Sequence, residues 1–170
     1  PPLATREFAV PIERGRFRRA HWLSDRPLVL FLGKLTPRKR VDTLVRACAQ
    51  TAVPASLVVA GNDLGDGRRV RALASSLGFD DRPQFVGLLT GHERLEALAD
   101  ADVVVYASEH EVFGLVPLEA LLAGTPVIVG DDSGCGDIVR STGGGLVVPI
   151  GRSDLLAGLL LLVVEVEHQL

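Results

Sequence analysis

The sequence predicts an α/β domain built on a doubly wound, Rossmann-like parallel sheet of about six strands. Three observations predict it: short runs that are wholly apolar, helical periodicity between these runs, and glycine-rich or charged loops after them. Wholly apolar runs are typical of strands buried on both faces, as the strands of parallel sheets are. With 170 residues, the chain has room for one such domain, whereas two would be crowded.

The elements alternate from residue 28 to the far end of the chain. The predicted strands are residues 28–32, 56–60, 84–86, 103–106, 126–129 and 146–148. The predicted helices are residues 41–51, 67–77, 92–98, 117–122 and 137–140, followed by a last helix with Ser153 as its N-cap. Gly78 directly follows the second helix, as is typical of a residue that ends a helix in the left-handed conformation.

Residues 1–26 differ from the rest in pattern, so we interpret them as a linker before a domain of residues 27–170. This segment contains prolines and has little periodicity. It also holds a cluster of arginines, which we interpret as a solvated face: Arg6, Arg14, Arg16, Arg18 and Arg19.

Composition and chain ends exclude several classes of protein. The net charge of −3 disfavours nucleic acid as a partner, because that affinity depends largely on basic surface. The chain begins Pro1-Pro2-Leu3 and contains no Met; we therefore expect an excised segment, and no signal peptide is visible. The apolar stretch 155–164 is shorter than the ~20 residues of a membrane span. We expect it to form a buried helix.

The two cysteines, Cys48 and Cys135, are too few and too far apart for a metal site or a disulfide framework. We expect Cys48 to be buried as a small apolar residue. The acidic pair Asp131-Asp132 has no third ligand at a suitable spacing, so no metal site is predicted. Together these features predict a cytoplasmic protein.

The glycine-rich and charged loops all follow strands, which places them at one edge of the predicted sheet. These loops are residues 33–40, 61–67, 87–89, 108–114 and 130–137. Ordinary connections, such as residues 50–54 and 78–83, lie at the opposite edge. Ligands of open α/β sheets bind outside the carboxyl ends of the strands. The asymmetry therefore predicts a ligand site at the edge that carries the glycine-rich and charged loops.

The loop and helix over residues 109–119 read E-H-E-V-F-G-L-V-P-L-E. They combine a carboxylate before a helix, Glu111, with a second one inside it, Glu119. The N–H groups at the start of a helix favour a phosphate, and Gly114 lets a ligand approach the backbone closely. Lys34 and Lys39 follow the first strand and offer two ammonium groups to a diphosphate.

The E-x7-E spacing from Glu111 to Glu119, with Phe-Gly inside it, resembles the donor-site signature of the retaining GT-B glycosyltransferases of family 4. Residues 33–40 (G-K-L-T-P-R-K-R) stand where that family has G-R-x-x-x-x-K-G. Four motif blocks follow the family's order over residues 28–151. The resemblance implies the C-terminal, donor-binding half of a GT-B fold.

The resemblance also implies roles for individual residues. Lys34 and Lys39 correspond to the family's diphosphate-binding Arg and Lys. Glu111 corresponds to the Glu that approaches the hydroxyls of the donor sugar, and Glu119 to the one that accepts hydrogen bonds from the ribose. The other donor-binding positions are Gly33 and Gly134 for close backbone approach, Leu88 for the base, and Phe113, Gly114 and Leu115 for backbone amides.

The chain departs from the family's pattern at three positions. Lys34 keeps the charge of the usual Arg but lacks its bidentate fork. Val112 replaces the first Gly of E-G-F-G, which stiffens the loop. Arg40 replaces a Gly, which leaves open whether Arg38 or Arg40 shares the phosphate contact.

The reaction implied is transfer of a sugar from a nucleotide diphosphate sugar, UDP- or GDP-linked, to a glycan, lipid or small-molecule acceptor, with retention and without metal or other cofactor. In such enzymes an N-terminal domain binds most of the acceptor. We expect this domain to be absent from the chain, so that the chain binds nucleotide but turns over little.

Three alternatives remain open at this point. A sugar-nucleotide epimerase would bind the same donor, but usually lacks this E-x7-E context. A non-catalytic nucleotide-sugar-binding module would accommodate the departures at Lys34, Arg40 and Val112. A flavodoxin-like or receiver domain would want an acidic pocket, whereas the loop after Leu32 is basic.

Overall fold

The computed structural model describes residues 5–51, 54–79 and 83–167, with side chains through residue 165. The strands are β1 Leu28–Leu32, β2 Ser56–Ala60, β3 Pro83–Gly87, β4 Val103–Tyr106, β5 Val127–Gly130 and β6 Gly145–Val148. The α-helices are α1 Arg16–Ala20, α2 Val41–Gln50, α3 Gly67–Ser76, α4 Gly91–Asp100, α5 Leu115–Leu122, α6 Cys135–Thr142 and α7 Ser153–Glu167. Short 3-10 helices span Thr5–Ala9 and Pro37–Lys39.

The strands form a 6-stranded sheet in the order β3-β2-β1-β4-β5-β6. Every neighbouring pair is parallel. The predicted doubly wound parallel sheet is therefore confirmed. The order of strands reverses direction between β1 and β4, so the loops that follow these two strands flank the crevice where open α/β sheets bind ligands.

The core consists of two apolar layers, one on each face of the sheet. All residues of β1, β4 and β5 are buried. Because side chains alternate along a strand, Val29 and Phe31 join one layer, which includes Leu44 of α2 and Leu156 of α7. Leu28, Leu30 and Leu32 join the other layer, together with residues of α4, α5 and α6. This two-sided burial explains the wholly apolar runs in the sequence.

The N-terminal segment contains a helix that the sequence did not predict. Phe17 of α1 is fully buried in the second layer. Arg18 donates a hydrogen bond to Asp102, with Nη2 2.7 Å from Oδ2, and Arg14 donates to the carbonyl of Ala99 at 2.9 Å. Interpreting the arginine cluster as a solvated face is therefore wrong for Arg18, whose side chain is 21% exposed, whereas Arg14 is exposed despite its bond to Ala99. A helix of 5 residues is too short to show a 3.6-residue period.

Other boundaries shift by a few residues. Ser153 was expected to cap α7 but is its first helical residue, because the N–H of Leu156 bonds to the carbonyl of Arg152 at 3.0 Å. Leu156, Leu160 and Val164 of α7 are buried, which confirms the expected buried helix. Within the described ranges, no helix combines the length and apolar character needed to cross a bilayer.

Candidate functional site

The loops after β1 and β4 are hydrogen-bonded to each other at the switch point of the sheet, where the order of strands reverses direction. The carbonyl of Arg38 accepts the N–H of Glu109 at 2.8 Å and the hydroxyl of Ser108 at 3.4 Å. In return, the Arg38 guanidinium donates to the carbonyl of His110 at 3.3 Å. These bonds join the two loops into one surface, so the functional groups of both have fixed relative positions.

On this surface Lys39 and Glu111 meet directly. Lys39 Nζ donates to Glu111 Oε2 at 2.5 Å and to Tyr106 Oη at 2.8 Å. The hydroxyls of Tyr106 and Ser108 also donate to Glu111 Oε2, at 3.2 and 3.3 Å. The structure therefore brings together two site residues predicted from different loops, and it adds Tyr106 and Ser108.

The environment of this cluster favours the charged forms of both partners. Burial opposes the charge on Lys39, but hydrogen bonds to Glu111 and Tyr106 outweigh it and raise the pKa of Lys39. Burial would likewise raise the pKa of Glu111, yet the hydrogen bonds from Lys39, Tyr106 and Ser108 lower it. Burial raises the pKa of Tyr106 despite the neighbouring ammonium, so its hydroxyl stays protonated. The cluster thus holds an ion pair at neutral pH.

The Lys39 ammonium retains hydrogen-bonding capacity in this arrangement. It carries three N–H donors, and the contacts with Glu111 and Tyr106 occupy two of them. Its side chain is 15% exposed. The remaining donor is available to an anionic oxygen that approaches the surface.

The N-terminus of α5 lies beside the cluster and has no side-chain cap. The N–H groups of Leu115 and Val116 open the helix, whereas Pro117 at the third position has no N–H to offer. The preceding Phe113 is half exposed and Val112 is exposed. Uncapped helix N–H groups next to an ammonium favour binding of an anion such as a phosphate.

Two glycines are required by close packing at the site. A Cβ added to Gly114 would lie 2.6 Å from Cε1 of the Tyr106 ring. One added to Gly134 would lie 2.2 Å from the carbonyl oxygen of Val112. Gly134 also donates its N–H to the carbonyl of Glu111 at 3.2 Å. The loop after β5 therefore packs closely on the loop that carries Glu111.

Glu119 lies inside α5, whereas Glu111 lies in the loop before it. This is the arrangement that the sequence predicts, with one carboxylate before the helix and one inside it. Glu119 is 15% exposed and pairs with Arg94 of α4, at 2.5 Å between Oε2 and Nη1. Sequence reasoning assigned no role to Arg94, because its position in a short predicted helix does not show which residue it pairs with.

The other predicted positions lie around this centre without joining the cluster. Lys34 and Leu88 are exposed. Gly33 lies so close to Gly61 that a Cβ on Gly61 would clash with the Gly33 carbonyl. Within the described part of the chain, no side-chain partner of Lys34 is present. Lys34 is therefore a free cation at the rim of the site.

Arg38 and Arg40 differ in the partners that their guanidinium groups already have. Arg40 pairs with Glu109 and with Asp42, the latter at 3.3 Å. Arg40 also has a φ of 50°, a left-handed conformation that explains why a Gly is usual there. Arg38 is exposed and bonds one backbone carbonyl. Of the two, Arg38 has the donors to spare.

Among the described residues there is no group of three or more His, Cys, Asp and Glu that could hold a metal ion. Asp132 instead accepts the N–H of His110 at 2.9 Å, and Asp131 accepts the N–H of Ile150 at 3.1 Å. The acidic pair therefore serves to fix neighbouring loops.

Residues 14–169 match the family described as Glycosyl transferases group 1. The chain belongs to this family. The match includes the four motif blocks and both loops of the site. The resemblance inferred from the E-x7-E spacing is thereby confirmed at the level of the family, while the roles of individual residues stay predictions.

Relatives and solved structures agree with this assignment. A GDP-mannose-dependent alpha-mannosyltransferase of Mycobacterium tuberculosis is 37% identical over 145 residues, covering 85% of this chain and 36% of the relative. Sucrose-phosphate synthase of Thermosynechococcus elongatus is 34% identical with a TM-score of 0.80, covering 92% of this chain and 41% of that one. The Anabaena protein HepE, solved with UDP and glucose, is 25% identical with a TM-score of 0.78, covering 84% and 40%.

The chain thus spans well under half the length of the relatives it matches. Its fold is that of one half of a GT-B glycosyltransferase, as the sequence predicted. The epimerase, binding-module and receiver alternatives are not favoured, because the matched relatives are glycosyltransferases.

Proposed function

We propose that this chain binds a nucleotide diphosphate sugar and acts as the donor-binding half of a retaining glycosyltransferase. The observation that carries the proposal is the Lys39–Glu111–Tyr106 cluster, which lies at the switch point of the sheet beside the uncapped N-terminus of α5. The cluster combines a cation and helix N–H groups for a diphosphate with a carboxylate for sugar hydroxyls.

The proposed chemistry is electrostatic. When the bond between the sugar and the diphosphate breaks, negative charge develops on the leaving phosphate oxygens. Lys39, with Lys34 and Arg38 at the rim, stabilises this charge together with the N–H groups of Leu115 and neighbouring residues. Lys39 and the helix N–H groups are oriented before the reaction begins. The acceptor hydroxyl attacks the anomeric carbon from the face that the diphosphate leaves, so that the configuration is retained.

The E-x7-E carboxylates divide the recognition of the donor between them. Glu111 already accepts hydroxyl donors from Tyr106 and Ser108 through one oxygen, and we propose that its second oxygen accepts a sugar hydroxyl. Glu119 lies four residues further along α5 than Leu115, about 6 Å at 1.5 Å per residue. This separation suits a ribose next to a phosphate at the helix end.

The donor is the only small molecule that the proposal requires, and no metal or separate cofactor is included. We propose that backbone groups of the loop after β3, which carries the exposed Leu88, read the base. The similarity to a GDP-mannose-dependent mannosyltransferase supports a GDP-sugar as donor, and the similarity to HepE, solved with UDP and glucose, supports a UDP-sugar. The acceptor is expected to bind mainly outside this chain, and a cytoplasmic location stays a prediction from the sequence.

The test is thermal unfolding of the chain with UDP, GDP and ADP and with their sugar conjugates. A ligand at ~100 times its dissociation constant stabilises a protein by about 2.7 kcal/mol. For a domain of this size that corresponds to roughly 5–10 °C in Tm. We expect a shift for one base only, which would also identify the donor.

The variant Lys39→Ala should reduce this shift to about half or less at the same ligand concentration, and Arg46→Ala serves as the matched control. Arg46 is an exposed cation of α2, seven residues beyond Lys39, so its removal changes the net charge equally. No shift with any nucleotide would contradict the proposal. Binding without sugar transfer by a protein that includes the rest of the relatives' length would favour a non-catalytic binding module instead.

A further inference from the structure

We propose that Arg94 is a positioning residue for recognition of the donor's ribose, acting through Glu119. The inference rests on the proposed function and extends it to a residue of a different helix. Arg94 Nη1 lies 2.5 Å from Glu119 Oε2, while its Nη2 lies 2.7 Å from Oε2 of Glu7 in the N-terminal segment. One guanidinium thus connects two carboxylates.

Both helices of this pair begin at the edge of the sheet that carries the site. α4 follows β3 and α5 follows β4, and in a parallel sheet the residues after each strand lie at the same edge. Arg94 is near the start of α4 and Glu119 is in the second turn of α5. Their pair therefore joins the first half of α4, the helix after the Leu88 loop, to the second turn of α5, the helix after the Glu111 loop.

The pairing leaves Glu119 able to accept hydrogen bonds. Among the described residues, Arg94 is the side chain that pairs with the Glu119 carboxylate, and its shortest approach is from Nη1 to Oε2. Oε1 is left to accept the vicinal hydroxyls of a ribose. Because the guanidinium holds Oε2, the carboxylate is limited to one orientation before the ligand arrives.

Arg94 also offsets the charge of Glu119. A bare carboxylate near the proposed diphosphate would repel it, and the side chains of Arg94 and Glu119 are only 19% and 15% exposed, so water screens the pair weakly. Glu7 is 49% exposed and touches the opposite side of the guanidinium. Glu7 therefore provides a control, because its loss leaves the Arg94–Glu119 contact in place.

The alternative is that Arg94 only fastens α4 to α5. The two roles differ in ribose discrimination, which is the ratio of the affinities for a nucleoside diphosphate and for its 2′,3′-dideoxy analogue. A positioning residue changes this ratio. A merely structural bridge changes the Tm and lowers both affinities equally.

The experiment is isothermal titration of the chain with UDP, GDP and ADP and with their dideoxy analogues. For the base that binds, we expect the unsubstituted chain to prefer the ribose form by about 10- to 100-fold, as for hydrogen bonds to a charged acceptor. Arg94→Ala should reduce this preference at least about 5-fold, beyond any loss of affinity that both forms share because the charge of Glu119 is no longer offset. Glu119→Gln should reduce it similarly.

Two further variants sharpen the result. Arg94→Lys should restore part of the discrimination, since an ammonium keeps the charge but makes one contact where the guanidinium makes two. Glu7→Gln should leave the discrimination unchanged. A preserved ratio in Arg94→Ala, or equal losses for both ligands, would overturn this inference alone. If the unsubstituted chain bound no nucleotide, the proposed function would fail together with it.

Discussion

The two edges of the sheet differ in kind. At the carboxyl edge, charged side chains from several loops meet, and two non-glycine residues, Arg40 and His110, adopt left-handed backbone conformations with φ of 50°. At the amino edge lies an apolar groove with a cavity of about 580 Å³, lined by Leu121, Gly144 and Leu162 among others. The charged groups are therefore concentrated at the edge opposite this apolar groove.

The direction of the strands explains this difference. Each parallel strand is followed at its carboxyl end by a loop and then by a helix N-terminus, so helix N–H groups and their partial positive charge accumulate at one edge. Helix C-termini accumulate at the other. An open surface with converging cations and N–H groups is suited to a diphosphate, whereas an apolar groove is not.

Removing the ammonium at the carboxyl edge should have the largest effect. Lys39→Ala deletes the group that contacts both Tyr106 and Glu111. It also leaves the Glu111 carboxylate uncompensated next to the incoming phosphate. We expect the affinity for a nucleoside diphosphate to fall by about 10- to 100-fold, in line with charge-assisted hydrogen bonds worth ~1.5–3 kcal/mol. Titration calorimetry measures this, and an affinity within about 2-fold of the parent's would contradict it.

A pair of glycine substitutions compares the edges directly. At Gly114 an added Cβ meets the Tyr106 ring at 2.6 Å, whereas at Gly144 it meets Cδ2 of Leu121 at 2.5 Å. The Tyr106 ring is held by Lys39 and Glu111, but the end of a Leu side chain can move. Gly114→Ala should therefore cost about 1–3 kcal/mol of stability and weaken nucleotide binding about 10-fold.

Gly144→Ala, at the amino edge, should lower the Tm slightly and leave nucleotide affinity unchanged. Both substitutions add one methyl group to a glycine near a side chain, so they differ mainly in which side chain must move. Thermal unfolding and titration of the two variants together test the comparison. Equal losses of affinity would mean that the two edges are not independent.

The fold was largely predictable because the pattern that encodes it is local. Five-residue apolar strands such as Leu28–Leu32, each followed by glycine or charge, indicate a buried parallel sheet without any knowledge of contacts. The helix α1 was missed because Phe17 is its one buried residue. A single buried residue cannot show the 3.6-residue period by which a helix is recognised in a sequence.

The candidate site was predictable in part for the same reason. Spacing within one segment pointed to Glu111 and Glu119, and the two ammonium groups after the first strand pointed to Lys34 and Lys39. The contacts of Tyr106 and Arg94 were not predictable. Tyr106 reads as one more apolar residue of a strand, and its partner Lys39 is 67 residues away in the chain. Local patterns do not report which distant loops or helices meet.

The Lys39–Glu111 pair should make stability depend on pH outside a broad neutral window. Glu111 has a pKa below its ordinary 4.5, so its contribution is complete above pH 4.5 and is lost as the pH falls through the lowered value. Lys39 has a pKa above its ordinary 10.5, so its contribution is complete below pH 10.5 and is lost as the pH rises through the raised value.

For a pair that is partly accessible to water, the contribution is about 1 kcal/mol, or roughly 2–4 °C in Tm. We expect Glu111→Gln to lower the Tm by that amount between about pH 6 and 9, and by less below about pH 4. Thermal unfolding of the two proteins across this range measures the difference. A constant difference down to pH 2 would show that the charge on Glu111 contributes nothing.

The smallest effect that we expect is a difference between the alkylation rates of the two cysteines. Burial raises the pKa of Cys48 in α2 to about 12. Burial also raises the pKa of Cys135, although its thiol donates to the carbonyl of Gly114 at 3.0 Å, beneath the proposed phosphate site. Because the thiolate is the reactive form, both should be alkylated slowly in the folded chain at pH 8.

Cys135 is covered by a loop of the site, whereas Cys48 is covered by α7, whose Leu160 and Val164 line the same small cavity. Loops open locally at a lower free energy than packed helices. We therefore expect Cys135 to be alkylated before Cys48, and a bound nucleoside diphosphate to slow the reaction of Cys135 alone. Mass spectrometry of peptides sampled over time measures both rates, with Cys48 as the internal control. Equal protection of the two thiols would show that the ligand stabilises the whole domain and does not close this loop in particular.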